Sequence, residues 1–251
     1  MIHAALEGPV LVVTLRRPEK RNALTRDGLH DLARLCEHLR DGAHSDGGRV
    51  RALVLEGEGP MFCAGFDLDA CRGDPGGLVM RGFLTDLSRT IAALRDGPLP
   101  VVACAHGGAI AGGCALLGGA DVVVADRASR LGYPVTRLGI SPAVSAPFLA
   151  AHVGRGAART RLLDNGLMDG QRALEIGLVH ELASAPVFAQ ERARVIAHEL
   201  AAKPMESMHA TRRWLREVSP VRAQGGLEAS LSLVGREEEQ HMLEAFWGAS
   251  R

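Results

Sequence analysis

Apolar residues occur in two patterns along this chain: short continuous runs, and longer stretches with helical spacing. The short runs are rich in valine and leucine, which is typical of strands that are buried on both faces. They are bounded by glycine, proline or charged residues, as strand ends commonly are. The pattern predicts strands over residues 10–15, 51–55, 101–105 and 122–125.

Helices are predicted between these runs. Thr25 is a suitable N-cap for a helix whose leucines recur every three or four residues. These leucines are Leu29, Leu32, Leu35 and Leu39. Two further helices are expected over residues 78–94 and around residues 114–117. Strands that alternate with helices predict an α/β fold with a layered core.

From about residue 186 the chain is predicted to be entirely helical. Pro204, Pro220 and the glycines at 225–226 divide it into three helices, of which the last covers residues 227–247. This last helix ends in apolar side chains, and a helix with such an end seldom stays free in solution. Docking on the core and docking on another subunit are both compatible with the pattern.

Composition limits the classes of function. The chain has 251 residues, of which 47% are hydrophobic, so it can form a sizeable core. Its 29 basic and 29 acidic residues balance, which gives no electrostatic reason to expect nucleic acid or a membrane surface as a partner. The five cysteines form no C-x-x-C pair and indicate neither a disulfide framework nor a zinc site. Without a signal-like N-terminus or a long apolar run, we expect a cytoplasmic protein.

Two glycine-containing turns carry the most informative chemistry. The first covers residues 61–68 and reads MFCAGFDL, and the second covers residues 106–115 and reads HGGAIAGGCA. Each follows a strand-like run and leads into a helix-like one, a junction that leaves backbone N–H groups without partners. Two such turns side by side can hold one oxygen that becomes negative during a reaction. The pair predicts an oxyanion hole, and therefore carbonyl chemistry.

Together with four further segments, these turns resemble the crotonase family, also called the enoyl-CoA hydratase/isomerase superfamily. The matching segments are RPEKRNAL at 17–24, FCAGFDL at 62–68, the turn at 107–114, AD at 120–121, LGI at 138–140 and ALEIGLV at 173–179. The resemblance implies a spiral of ββα units over residues 1–185. It also implies a helical C-terminal region, residues 186–251, that serves in trimerisation or as a lid. The assembly implied is a homotrimer or a dimer of trimers.

The same resemblance implies the ligand and the residues that hold it. The ligand is an acyl thioester of coenzyme A or of phosphopantetheine, with no metal and no cofactor beyond the coenzyme A moiety. Its carbonyl oxygen would accept hydrogen bonds from the backbone N–H groups of Ala64 and Gly112, and each such donor contributes about 3–4 kcal/mol to catalysis. The positions that match the substrate and coenzyme A path are Arg21, Ala23, Gly65, Phe66, Asp67, Leu68 and Gly113.

The chain departs from the family pattern at its acids. Hydratases of this family carry two carboxylates and some isomerases carry one elsewhere, but the three positions here are Ala115, Val135 and Ala143. A general acid or base is worth roughly 10²–10⁴-fold in rate, and these side chains cannot act as either. We therefore expect isomerisation or decarboxylation rather than hydration. The alternative is a non-catalytic acyl-CoA binder or partner subunit, whereas hydrolysis has little support because no nucleophile–base pair is visible.

Three side chains are candidate proton carriers. Tyr133 is the only tyrosine and lies two residues before Val135, although a phenol packed in the wall is the competing interpretation. His106 begins the second turn, where the competing interpretation is a histidine held by the backbone. His241 lies in the last helix, where some decarboxylases of this family have a histidine. Cys63 and Cys114 flank the two predicted hole residues and are interpreted as buried packing residues.

Overall fold

The structure is a computed structural model that describes residues 1–40 and 50–249. In chain order its strands are β1 (Ile2–Glu7), β2 (Val10–Leu15), β3 (Ala52–Gly57), β4 (Val101–Cys104), β5 (Gly108–Ile110), β6 (Val122–Asp126), β7 (Arg130–Gly132), β8 (Met168–Asp169) and β9 (Glu181–Ala183). Its helices are α1 (Arg26–Arg40), α2 (Leu78–Asp96), α3 (Gly112–Leu116), α4 (Ala146–Leu163), α5 (Gly170–Glu175), α6 (Pro186–Ala201), α7 (Met205–Val218), α8 (Ala223–Leu231) and α9 (Glu237–Ala249). The α/β prediction is confirmed. No helix in the described part of the chain is long and apolar enough to cross a membrane.

The strands form two sheets. The larger has the order β1-β2-β3-β4-β6-β9, in which β1 is antiparallel to β2 and all other neighbours are parallel. The smaller has the order β5-β7-β8. A single parallel bridge between Cys63 and Ala109 joins the first glycine turn to the smaller sheet. This bridge brings the two glycine turns side by side.

The inner strands of the larger sheet, β2, β3, β4 and β6, are largely buried on both faces, as strands of a parallel sheet with helices on each side should be. Alternate residues of β3 point to opposite faces, so that Leu53 and Leu55 pack with α1 and α2, while Ala52 and Val54 pack against α6. The α6 face toward the sheet is a stripe of small side chains at four-residue spacing, which lets the helix approach closely. This stripe consists of Ala189, Ala193, Ala197 and Ala201.

The central elements match the predicted ones. The Thr25 hydroxyl accepts the Gly28 N–H at 3.1 Å and caps α1 as expected. Strand β1 was not predicted, because it is an edge strand whose residues are mostly exposed and carry no apolar run. Its place is set by pairing with β2, which a local pattern cannot reveal.

The C-terminal region has four helices, so the prediction of three was wrong. The glycines at 225–226 lie inside α8 and do not interrupt it. A Cβ on Gly226 would lie 2.4 Å from the Ala143 carbonyl oxygen, so glycine is needed here for close packing. The break falls instead before α9, at Gly235, which has φ of 81°.

Candidate active site

The first glycine turn is held by a buried asparagine. The Asn22 Nδ2 amide donates to the carbonyl oxygens of Glu58 and Met61, each at 2.8 Å. Its Oδ1 accepts the Arg17 N–H at 2.9 Å. Asn22 is fully buried, so these bonds are shielded from water and fix the path of the turn.

The structure corrects one predicted oxyanion-hole donor. The Ala64 N–H already donates to the Arg21 carbonyl oxygen at 3.0 Å, and it is therefore not available to a substrate. Leu24 and Phe66 form a parallel bridge in which the Leu24 N–H donates to Gly65 O at 2.7 Å and Leu24 O accepts the Asp67 N–H at 2.9 Å. Because alternate backbone groups of an extended segment point in opposite directions, the Phe66 N–H points away from Leu24. No described residue accepts it.

The second turn contains Gly112, the other predicted donor, whose N–H remains free. Gly112 is the first residue of α3, and its N–H has no acceptor among the described residues. A Cβ on Gly112 would lie 3.0 Å from Cε1 of the Phe66 ring, and a Cβ on Gly65 would lie 3.5 Å from the Gly112 nitrogen. The free N–H groups of Phe66 and Gly112 therefore belong to adjoining turns.

Two further features hold the second turn in place. The buried Asp126 carboxylate accepts the Gly107 N–H at 2.6 Å and the Ser129 hydroxyl at 2.6 Å. Ala111, the residue before Gly112, has φ of 52° and ψ of −116°, which L-residues rarely adopt. Neither Asp126 nor Ala111 was singled out from the sequence, because the turn geometry that needs them is not visible in local residue patterns.

A cavity of about 500 Å³ opens beside the two turns. Apolar side chains dominate its wall, and neither aspartate nor glutamate lines it among the described residues. Of the three positions expected to be acidic in relatives, Val135 lines the wall, while Ala115 and Ala143 do not. The lining residues are Arg21, Ala64, Phe66, Leu68, Leu84, Leu87, Ile110, Ala111, Gly112, Tyr133, Pro134, Val135, Arg137, Leu138, Ile140, Ser141, Pro142, Val144, Ser145, Leu167 and Phe246.

Tyr133 is the one candidate proton carrier that lines this cavity. Its hydroxyl donates to the Cys114 carbonyl oxygen at 3.3 Å. Burial raises the pKa of Tyr133 well above its usual value, and the neighbouring Cys114 adds to this effect. The phenol therefore stays protonated near neutral pH, so it can donate a hydrogen bond but cannot serve as a base.

The two histidine candidates lie elsewhere. His106 is fully buried beneath the second turn, and its Nε2 lies 3.1 Å from the Gly59 carbonyl oxygen. His241 is exposed on α9 and lines a separate groove with glutamates of the same helix. Neither lines the cavity, so the structure supports the competing, backbone-held interpretation of His106 and gives His241 no contact with the site.

Of the predicted substrate-path residues, some line the cavity and others do not. Arg21, Phe66 and Leu68 line the cavity, and the Phe66 ring stacks on Phe83 with centroids 4.7 Å apart. The other four do not line it, and one of them, Gly65, instead accepts the Leu24 N–H in the first turn. Asp67 is engaged by Arg17 at 2.9 Å, while Ala23 and Gly113 are buried in backbone packing.

The cysteines beside the turns behave as packing residues. Cys63 and Cys114 are fully buried, and burial raises the pKa of each thiol to about 12. Both thiols are therefore protonated at neutral pH and unsuited to nucleophilic attack.

The chain is similar to known proteins over most of its length. A model of the family described as Enoyl-CoA hydratase/isomerase matches residues 6–243. A Thermus thermophilus protein described as a putative enoyl-CoA hydratase is 34% identical over 211 residues, which cover 83% of this chain and 81% of that protein. The 1,2-epoxyphenylacetyl-CoA isomerase of Escherichia coli is 31% identical over 206 residues, covering 79% and 75%.

A solved structure extends the similarity to the whole chain. The crystal structure of a putative enoyl-CoA hydratase from Streptomyces coelicolor A3(2) matches with a TM-score of 0.78 and 31% identity. The match covers 100% of this chain and 92% of that one, and so it includes the helical C-terminal region.

Proposed function

Since the chain belongs to the enoyl-CoA hydratase/isomerase family, also called the crotonase superfamily, we propose that it binds an acyl thioester and stabilises the enolate of that thioester. The thioester carbonyl oxygen accepts the N–H groups of Phe66 and Gly112. One observation carries the proposal: Phe66 and Gly112 belong to adjoining turns, their N–H groups have no acceptor among the described residues, and both line a cavity without a described carboxylate. The proposal needs no metal and no cofactor beyond the coenzyme A of the substrate.

The charged residues of the cavity fit the other end of such a ligand. Arg21 and Arg137 are exposed and line the cavity, so they lie where it meets solvent. Guanidinium groups bind phosphate oxygens well because they offer several N–H donors in a planar fork. The proposed ligand is therefore coenzyme A or phosphopantetheine with its phosphates toward these arginines and its acyl group inside.

The reaction we propose is decarboxylation or isomerisation rather than hydration. In decarboxylation the bond between the α-carbon and a carboxylate breaks, CO₂ leaves, and the electron pair becomes the enolate, whose oxygen the two N–H groups stabilise. Water then protonates the α-carbon, so no side-chain base is required. Isomerisation needs a base to take a proton, which Tyr133 cannot be while its phenol stays protonated. The similarity to an E. coli protein named as an isomerase keeps this reaction in the proposal, with the proton taken and returned by a carrier from outside the described wall.

A non-catalytic acyl-CoA binder is the second candidate, because the wall offers no described base. A panel of enoyl-, malonyl- and β-oxo-CoAs in D₂O, read by mass spectrometry, separates the two. We expect loss of CO₂ or uptake of deuterium without addition of water. Water addition as the main reaction would contradict the proposed chemistry, and binding without any mass change would identify a non-catalytic binder.

A pair of variants at Gly112 tests the hole itself. Gly112→Pro removes the N–H at the first position of α3, where the proline ring is compatible with a helix. Gly112→Ala is the matched control, because it introduces a Cβ beside the Phe66 ring but keeps the N–H. We expect the proline variant to be about 10²–10³-fold slower than the alanine variant. Equal rates in two folded variants would contradict a role for this N–H.

We also propose that the chain assembles as a homotrimer or a dimer of trimers. The observation in support is an apolar surface on α7, where Trp214, Leu215 and Val218 are 63%, 56% and 56% exposed. Such a surface is commonly covered in an assembly. Sedimentation equilibrium measures the mass directly, and a monomer at micromolar concentration would contradict this proposal.

A further inference from the structure

The Ser145 hydroxyl on the cavity wall has no hydrogen-bond partner among the described residues. Ser145 lines the cavity and is only 4% exposed. It directly precedes α4, but its φ of −89° and ψ of −21° are already helical, so its side chain does not cap the helix as a serine at such a position usually does. No other described residue donates to or accepts from its Oγ.

The neighbouring polar groups of the wall are already engaged. The Ser141 Oγ accepts the Ala143 N–H at 3.3 Å, and the Tyr133 hydroxyl donates to a carbonyl oxygen. Next to Ser145 in the chain lies Val144, which is buried and apolar. The Ser145 Oγ stays accessible from the cavity, where water can satisfy it. A ligand that displaces this water without accepting the hydroxyl's hydrogen bond leaves the hydroxyl unpaired, which is costly.

The position of Ser145 also indicates that the ligand atom it contacts carries negative partial charge. The N-terminal end of a helix carries partial positive charge, and α4 begins directly after Ser145. Both this field and the free O–H favour an acceptor atom, which in an acyl chain is an oxygen. A plain hydrocarbon chain would leave the hydroxyl buried without a partner.

We propose that Ser145 is a specificity-determining residue that donates a hydrogen bond to an oxygen on the acyl group. The preferred substrate class is then an oxygenated acyl thioester, with a hydroxyl, carbonyl or carboxylate oxygen at the position that reaches Ser145. This inference rests on the proposed function, because it describes the acyl group of the thioester bound in the same cavity.

Calorimetric binding tests the inference without requiring turnover. The ligands are hexanoyl-CoA and hexanoyl-CoAs that carry one hydroxyl or oxo group at carbon 3, 4, 5 or 6, together with adipoyl-CoA for a carboxylate. We expect at least one oxygenated ligand to bind about 3- to 10-fold more tightly than hexanoyl-CoA. Ser145→Ala should abolish this preference and bind hexanoyl-CoA at least as tightly as the wild type, because no hydroxyl is then left unpaired. Ser145→Thr, which keeps the hydroxyl, should retain part of the preference.

A stability measurement separates recognition from a structural role. Because the hydroxyl makes no bond within the protein, Ser145→Ala should melt at the same temperature as the wild type or higher. A preference that survives in Ser145→Ala, or a wild type without any preference, would overturn the inference. If no thioester binds to the wild type, the proposed function fails as well, whereas equal binding of all the thioesters removes only the role of Ser145.

Discussion

Ala111 is held in a backbone conformation that an alanine rarely adopts, and replacing it with glycine should therefore stabilise the fold. Its φ of 52° and ψ of −116° are enforced from both sides. The Ala111 N–H donates to Gly132 O at 2.8 Å, and its carbonyl accepts the Ala115 N–H at 2.9 Å. A residue in such a region stores about 1–3 kcal/mol of strain.

The expected gain in the free energy of unfolding is the strain energy released minus the entropic cost of a more flexible unfolded chain. Glycine adopts positive φ freely but loses about 0.5–1 kcal/mol through its greater conformational entropy when unfolded. Ala111→Gly should therefore stabilise the protein by about 1 kcal/mol, which for a chain of this size raises Tm by about 2–4 °C. Urea denaturation gives the free energy of unfolding directly.

The same substitution at an ordinary helical position is the control. Ala210 is exposed within α7, and Ala210→Gly should destabilise the protein by about 1 kcal/mol. The two variants should thus shift stability in opposite directions. An Ala111→Gly protein that loses as much stability as Ala210→Gly would refute the claim that the turn before Gly112 is strained.

Three other substitutions test separate parts of the structure. Burial raises the pKa of Glu239, against the opposing N–H bond from the backbone, so the folded state holds this proton more tightly than the unfolded state. The stability from this group is complete below the unfolded pKa and is lost as pH rises through the folded pKa. The advantage in Tm of Glu239→Gln should therefore grow as pH rises above the ordinary glutamate pKa, and a pH-independent difference would contradict this. Arg212 is buried and donates to the Asp121 carboxylate and to carbonyl oxygens at the end of α2. Arg212→Ala should therefore lower the free energy of unfolding, measured by urea denaturation, by about 2–3 kcal/mol. A loss below about 0.5 kcal/mol would show that these bonds contribute little. Gly107 has φ of 64°, and a Cβ there would lie 1.9 Å from Pro60 O. Gly107→Ala should therefore lower the free energy of unfolding by at least about 3 kcal/mol or prevent folding. A variant as stable as the wild type would show that the turn can shift.

The core of the fold was predictable because its signals are local. Valine-rich runs gave the positions of β2, β3, β4 and β6, and leucine spacing with Thr25 gave α1. The crotonase-like α/β fold with a helical C-terminal region is confirmed by the structure and by its match to solved relatives. Strand β1 and the division of the last helices depend on distant contacts, such as the approach of Gly226 to Ala143.

The candidate site was predictable in part for the same reason. The glycine turns predicted free backbone N–H groups, and the resemblance to the crotonase family implied Gly112 as one of the donors. Whether Ala64 or Phe66 has the free N–H depends on the hydrogen bond from Ala64 to Arg21 and on the bridge between Phe66 and Leu24. Arg21 and Leu24 lie some forty positions earlier in the chain. The free hydroxyl of Ser145 could not be predicted from the sequence either, because a serine before a helix normally indicates a helix cap.

The central claim is that the N–H groups of Phe66 and Gly112 polarise a thioester carbonyl. Infrared difference spectroscopy of butyryl-CoA labelled with ¹³C at its carbonyl measures this polarisation directly in the bound complex. The account predicts that the carbonyl stretch moves to lower frequency on binding to the wild type and to Gly112→Ala, and that the shift is largely lost in Gly112→Pro. A thioester that binds to the wild type with its carbonyl frequency unchanged would contradict the account.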